Sequence, residues 1–293
     1  DYRPNSIARQ LKGAASGIIG VLIGTQASQV THRSLIEMER HAYERGYRLM
    51  VAHVRADAER FAQYMADFKA RNVDGVICLS SWQLKNRAGY DDERLWPAAS
   101  VFTDESPLRR CASVVADRAS GIRQAVAHLH ARGRSRIGLA VVSPKEFVVR
   151  QRVDGYRQGI SVDEGRRQQP LIWSEDSTDH VPSEERIAEI IDQLVVGNGA
   201  DAVITGNDFW AVQLIKQLQR RGLHVPDDVA VIGFDNVDVA TAVEPELTTV
   251  DTEVALTARH MVDLVVAGKT DGGWPRQAPS VTVPTRLVVR RST

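Results

Sequence analysis

Several residues able to do chemistry stand directly behind short apolar runs, and that placement is the first pattern in the chain. Thr25 and Gln26 follow "GIIGVLIG", Ser80 and Ser81 close "VDGVICLS", and Thr103 and Asp104 follow "SVF". Asp117 follows "ASVVA", Glu146, Arg150 and Arg152 lie in "SPKEFVVRQR", and Trp173 ends "QPLIW". Asn207 and Asp208 follow "ADAVITG", and Asp235 and Asn236 follow "DVAVIGF". Carboxylates accept from hydroxyls, a guanidinium donates in a planar fork, and an indole covers the apolar face of a sugar ring. The set suits a small polyhydroxylated or zwitterionic ligand, and a sugar fits it best. Each position also has a plainer reading. Asp117, Asn207 or Asp208 can cap a following helix, Arg152 can be a surface charge or half of an ion pair, and Trp173 can fill a core. Asp235 is the sharper candidate, because no long helix follows it at once.

Catalytic patterns do not emerge. The chain has no Gly-x-Ser-x-Gly elbow, no phosphate loop ending in Gly-Lys-Ser/Thr and no His-Glu-x-x-His pair. The glycines of "SGIIGVLIG" lie within a strand-like run, not in the turn after one. The eight histidines are scattered, with His128 and His130 on different faces of one helix, so no metal spacing appears. The reading is a binding protein, not an enzyme, with no cofactor and no metal.

The elements that must position these residues alternate regularly. Apolar β-branched runs are interleaved with helix-period stretches near residues 34–45, 58–70, 118–132, 150–159, 183–196, 208–221 and 254–267. Runs that are apolar throughout fit parallel strands covered on both faces. The expected fold is therefore α/β, with two similar doubly wound parallel-sheet lobes and a ligand cleft between them. Ligands of open α/β sheets bind beyond the carboxyl ends of the strands, where the candidates above sit.

At 293 residues the chain is long enough for two lobes. Lys plus Arg equals Asp plus Glu at 37 each, so any attraction to nucleic acid must be local. Such a place exists at the start, "DYRPNSIARQLKG", where Arg3, Arg9 and Lys12 outnumber Asp1. Pro4 and Asn5 read as a helix start, and Ile7, Ala8 and Leu11 share one face. A helix this short is marginal in water and calls for a partner to order it. Cys78 and Cys111 lie in apolar runs and read as buried thiols of a reduced compartment, the cytoplasm. No apolar run approaches the ~20 residues of a membrane span, and no basic start leads into an apolar signal core.

"YRPNSIARQLKG" resembles the end of the DNA-binding headpiece and the hinge helix of the lac repressor/galactose repressor family. The likeness continues through "ERGYRLMVAH", "NVDGVICLSS", "VVADRASGIRQAVAHLHARGRSRIGLA", "RVDGYRQGI", "LHVPDDVAVIGFDN", "PELTTV" and "PTRLVVRRST". The resemblance implies a dimeric transcription regulator whose core binds a small effector, commonly a sugar, and so alters its grip on operator DNA. It places the effector contacts at Asp117, Glu146, Val148, Arg152, Trp173, Asn207 and Asp235. Val148 is apolar where the family often has a polar residue. It places the hinge contacts at Asn5, Ala8, Leu11 and Lys12, with Leu11 wedged between base pairs in the minor groove. A helix-turn-helix module is expected before Tyr2 in the full protein. The expected division is a hinge at residues 1–15, a first lobe of 16–133 with 250–272, and a second of 134–249 with 273–293. Periplasmic sugar-binding proteins of transport systems share the two-lobe fold and are the alternative.

Overall fold

The computed structural model describes the chain apart from residues 1–14, 25–27, 56, 80–89, 91, 105, 107, 144–145, 162–168, 177–181, 271, 273 and 275–276. The expectations for Asn5, Ala8, Leu11 and Lys12, and for Thr25, Gln26, Ser80 and Ser81, lie outside the described residues. Along the chain the elements are β1 (Ile18–Ile23), α1 (Gln29–Glu44), β2 (Arg48–His53), α2 (Ala58–Ala70), β3 (Gly75–Leu79), β4 (Ser100–Thr103) and β5 (Ala112–Ala116). Then come α3 (Arg118–Ala131), β6 (Ile137–Val142), α4 (Phe147–Ser161), β7 (Leu171–Glu175), α5 (Glu184–Ile190), β8 (Ala202–Thr205) and α6 (Asp208–Arg220). The last are β9 (Ala230–Phe234), β10 (Thr248–Asp251), α7 (Val254–Thr270), β11 (Ser280–Val283) and β12 (Arg286–Val288). Side-chain oxygens of Ser28, Asp57, Asp117, Ser183 and Asn207 cap α1, α2, α3, α5 and α6. Helix α1 starts earlier than the apolar period alone indicates, because Ser28 accepts from the Thr31 amide and sets the first turn.

The strands form two six-stranded sheets, ordered β11-β5-β4-β3-β1-β2 and β12-β10-β9-β8-β6-β7. The two orders repeat one plan. The pairs within β5-β4-β3-β1-β2 and within β10-β9-β8-β6-β7 are parallel, and β12 joins β10 antiparallel. In the first sheet, Ile19, Val21 and Ile23 of β1 meet Met38 of α1 and Met261 and Val265 of α7. Leu22, between them, faces the opposite core of Phe61, Met65 and Phe68 from α2. Covering both faces is what makes these strands apolar throughout. In the second sheet, Ala140 and Val203 share a core with Trp173, Ile187, Ile190, Trp210 and Leu214.

The first unit comprises the described residues up to Val115 with Val254–Val283, and the second Ala116–Glu253 with Pro284–Thr293. The boundary thus falls before α3, not near Gly133 as the sequence suggested. The reason is packing: a Cβ on Gly155 of α4 would lie 2.4 Å from the Ala119 carbonyl oxygen, and one on Gly121 of α3 would lie 2.5 Å from Val250 of β10. Only glycine permits those approaches, and they bind α3 to the second sheet. The closing run "SVTVPTRLVVRR" forms two strands. Pro284 has no amide donor for a ladder, and β11 and β12 on either side of it belong to different sheets.

Candidate functional site

The candidate residues of the second unit gather on the carboxyl edge of its sheet, around the point where the strand order reverses from β6 to β8. After β6, the Ser143 carbonyl accepts from the Glu146 amide at 3.0 Å, and the Glu146 carbonyl accepts from the Val149 and Arg150 amides at 3.0 and 2.8 Å. Glu146 thereby starts α4, with Val148 buried in its first turn. Arg152 follows one turn on. Its Nη1 donates to the Val148 carbonyl at 3.3 Å, and its guanidinium carbon lies 4.3 Å from the centroid of the Phe234 ring, at the end of β9. Its Nη2 stands 4.0 Å from Oδ1 of Asp235, and only 11% of the Arg152 side chain is exposed. A guanidinium laid on an aromatic face beside a carboxylate is fixed in plane and direction. The structure therefore brings together two of the residues singled out in the sequence.

Asp235 and Asn236 both take left-handed backbone angles, φ 99° and 49°, a costly conformation for residues with a side chain. Neighbouring groups hold them there. The Asp235 amide donates to the Val250 carbonyl at 2.8 Å. The Asn236 amide donates to Oγ1 of Thr249 at 3.3 Å, and Nδ2 of Asn236 donates to Asp251 at 2.8 Å. Arg290 donates to the Asn236 side-chain oxygen at 2.8 Å and to the Leu247 carbonyl at 2.7 Å. Arg286 reaches Asp251 at 3.2 Å. Asp251, Arg286 and Arg290 were not sequence candidates. They lie in "PELTTVD" and "PTRLVVRR", and only the convergence of β10 and β12, which pair Asp251 with Arg286, reveals what they do.

The capping readings hold for two residues. Oδ1 of Asn207 accepts from the Trp210 amide at 3.0 Å, and Oδ1 of Asp117 accepts from the Ser120 amide at 2.9 Å. The Asp117 carbonyl also accepts from the Thr285 hydroxyl at 2.8 Å. Thr285 precedes Arg286, which pairs with the last residue of β10, so Asp117 stands on the same edge of the sheet. A carboxylate has about four acceptor sites, and capping leaves Asp117 others to offer.

Asp208 is fully buried. Its Oδ1 accepts from the Thr249 hydroxyl at 2.5 Å, and its Oδ2 accepts from the Val237 amide at 2.8 Å. Burial pushes its carboxyl up to about 8, with the charge of Asp235 adding to the rise; the bonds from Thr249 and Val237 and the charge of Arg290 oppose it. Trp173 is the candidate that the structure moves elsewhere. It sits in the middle of β7 and packs in the core, its ring 5.6 Å from that of Trp210, so the core-filling reading replaces the stacking one. Thr103 ends β4 in the first unit and Asp104 follows it, and Thr103 donates to the Cys78 carbonyl at 3.3 Å. Among the described residues no group of three or more His, Cys, Asp or Glu could hold a metal ion. Among them, too, no helix is long and apolar enough to cross a membrane.

Residues 126–293, which supply most of this rim, match the model of the periplasmic binding protein-like domain. The chain belongs to that family. Its homologues are regulators of the lac repressor/galactose repressor type, as the sequence resemblance indicated. The chain is 27% identical over 303 residues to the HTH-type transcriptional regulator DegA of Bacillus subtilis, covering 100% of the chain and 85% of the relative. It is 26% identical over 269 residues to the ribose operon repressor of Escherichia coli, covering 85% and 74%. Among solved structures it resembles the lac repressor dimer bound to operator and an anti-inducer, with a TM-score of 0.79 and 22% identity over 100% of this chain and 99% of that one. It also resembles a regulator from Enterococcus faecium with bound ribose, with a TM-score of 0.77 and 22% identity over 94% and 98%. These structural likenesses establish the fold that the family shares.

Proposed function

We propose that the chain is the effector-binding and dimerising core of a cytoplasmic, DNA-binding transcription regulator, and that it senses a small polar ligand, a sugar, that changes operator affinity. The observation that carries this reading is the pairing of Arg152 and Asp235 at the sheet edge, with the guanidinium fixed over Phe234. A fixed donor fork beside a carboxylate acceptor is complementary to adjacent hydroxyls of a sugar. Asp117, Glu146 and Asn207 supply further polar contacts along the same edge, and buried Val148 presents an apolar face to the ligand. The relatives are named as transcription regulators and repressors, and one solved neighbour holds ribose. Asn5, Ala8, Leu11 and Lys12 would meet the minor groove of operator DNA in the full-length regulator. The ligand acts by its differential affinity for the DNA-binding and released states.

A thermal-shift screen across pentoses, hexoses, disaccharides, sugar acids and purines identifies the ligand, and calorimetry on Arg152→Ala and Asp235→Ala tests the site. Each variant removes charge-assisted hydrogen bonds of about 1.5–3 kcal/mol, so affinity falls by about 10- to 100-fold with the fold retained. Unchanged affinity in both variants would show that the site is misplaced. Turnover of the ligand by the purified chain would refute the binding role.

A further inference from the structure

Asp74 stands just ahead of β3 and is buried, with 1% of its side chain exposed. Four donors surround its carboxylate. Oδ1 accepts from the Ser16 amide at 3.1 Å and faces Nζ of Lys269 at 3.1 Å. Oδ2 accepts from the Gly17 amide at 2.7 Å and from the Ser16 hydroxyl at 3.1 Å. These contacts fill the roughly four acceptor sites that a carboxylate offers. The Ser16 hydroxyl in turn accepts from the Ile18 amide at 3.2 Å, and the Asp74 amide donates to the Ile18 carbonyl at 2.8 Å. Three segments distant in the chain therefore meet at one side chain: the entry to β1, the start of β3 and the last turn of α7. Gly75 makes the meeting possible, since a Cβ there would lie 2.6 Å from Val265 of α7 and 2.3 Å from the Ala99 carbonyl oxygen.

Ser16 and Gly17 are the residues through which "DYRPNSIARQLKG" joins the core. A joint of free backbone would let that stretch point in any direction, and no change in the core would reach it. We propose that Asp74, backed by Lys269, is the positioning residue of this joint: it clamps Ser16 and Gly17 and so sets the direction in which the DNA-contacting stretch leaves the first unit. Burying a carboxylate is costly unless donors surround it, and an apolar residue would serve the start of a strand equally well. What the carboxylate adds is a grip on two consecutive amides and a hydroxyl of a segment 57 and 58 positions away. Lys269 extends that grip to α7, the helix that begins at Val254, where the chain returns to the first unit. The consequence for DNA rests on the reading of the opening stretch as an operator contact, whereas the grip on Ser16 and Gly17 does not.

Amide hydrogen exchange on the chain tests the clamp, and DNA binding by the full-length regulator tests its consequence, with the duplex that the wild type selects from a random pool as the probe. Asp74→Ala removes all four contacts, so protection of the Ser16 and Gly17 amides should fall at least tenfold while strands β8 and β9 of the second unit stay unchanged. Its Kd for the probe should rise at least tenfold. Lys269→Met keeps the carboxylate and its bonds to Ser16 and Gly17, so both effects should be about threefold, and this variant decides the matter where Asp74→Ala fails to fold. Leu214→Ala lowers Tm from the core of the second unit and should alter neither protection at Ser16 and Gly17 nor Kd. Unchanged protection at those two amides in the Asp74 and Lys269 variants would overturn the clamp. Lost protection with an unchanged Kd, or a Kd that rises as much in Leu214→Ala, would overturn the positioning role. A wild-type regulator that selects no duplex would instead refute the DNA-binding reading alone, with exchange at Ser16 and Gly17 still deciding the clamp.

Discussion

Gly233→Ala is a one-carbon change whose consequence can be worked from the geometry. Gly233 lies in β9 without a left-handed φ, so alanine meets no backbone objection there. The difficulty is space. The new Cβ would stand 2.2 Å from Oδ1 of Asp208, 2.7 Å from Cδ2 of Leu247 and 3.2 Å from Cγ of Asp208. Ordinary carbon–oxygen approach ends near ~3.3 Å, so the carboxylate must retreat by about 1 Å in an interior packed like a crystal. Overfilling costs about 1–3 kcal/mol, and stranding Thr249 or Val237 without its acceptor adds about 1–3 kcal/mol. We expect a loss of about 2–6 kcal/mol, or a Tm lowered by roughly 4–24 °C for a unit of this size. Urea unfolding can be followed through Trp173 and Trp210, which are buried in the same core. The discriminating measurement is the cycle with Asp208→Ala, which removes the obstructing oxygen. The double variant should lose at least ~1 kcal/mol less than the sum of the singles. Losses that add to within ~0.5 kcal/mol would refute the steric argument.

Two further expectations concern buried polar groups. The Tyr156 hydroxyl donates to the Ile137 carbonyl at 2.7 Å and accepts from the Leu171 amide at 3.0 Å, joining the starts of β6 and β7. Tyr156→Phe removes both bonds and should cost about 1–3 kcal/mol by calorimetry; a Tm within ~2 °C of the wild type would exclude this bridging role. Burial raises the thiol of Cys78 well above the usual range and that of Cys111 to about 12. Since the thiolate is the reactive form, native protein at pH 8 should react with a disulfide reagent far more slowly than urea-unfolded protein, which should titrate two thiols at once.

Much of this architecture is legible in the residue order, and the misses share a physical cause. Continuous apolar runs reveal strands covered on both faces, and positions directly behind them mark the sheet edge, so Asp235 stands out from the sequence alone, whereas Arg152, inside a helix, reads locally as a surface charge. Trp173 shows the limit: an indole near a strand end has the same local signature whether it stacks on a ligand or fills a core, and the partner that decides it, Trp210, is 37 positions away. The same holds for α3. Its local pattern fixes a helix, but its allegiance to the second sheet depends on Gly121 and Gly155 meeting Val250 and Ala119. Asp251, Arg286 and Arg290 escape for a related reason, because charges near the end of a chain read as solvated until two distant strands pair.

The division of the chain carries a consequence for its birth on the ribosome. The first unit takes α7 and β11 from Val254–Val283, far downstream of the strands they cover. At about 5–20 residues per second, strands β1, β3 and β4 wait on the order of 10 s for the helix that shields them. In that interval Ile19, Val21, Ile77 and Val101 lack Ala258, Met261, Val262 and Val265 as neighbours. The nascent chain therefore presents an apolar sheet face to the cell, and demand for a holding chaperone should fall only once α7 has left the exit tunnel.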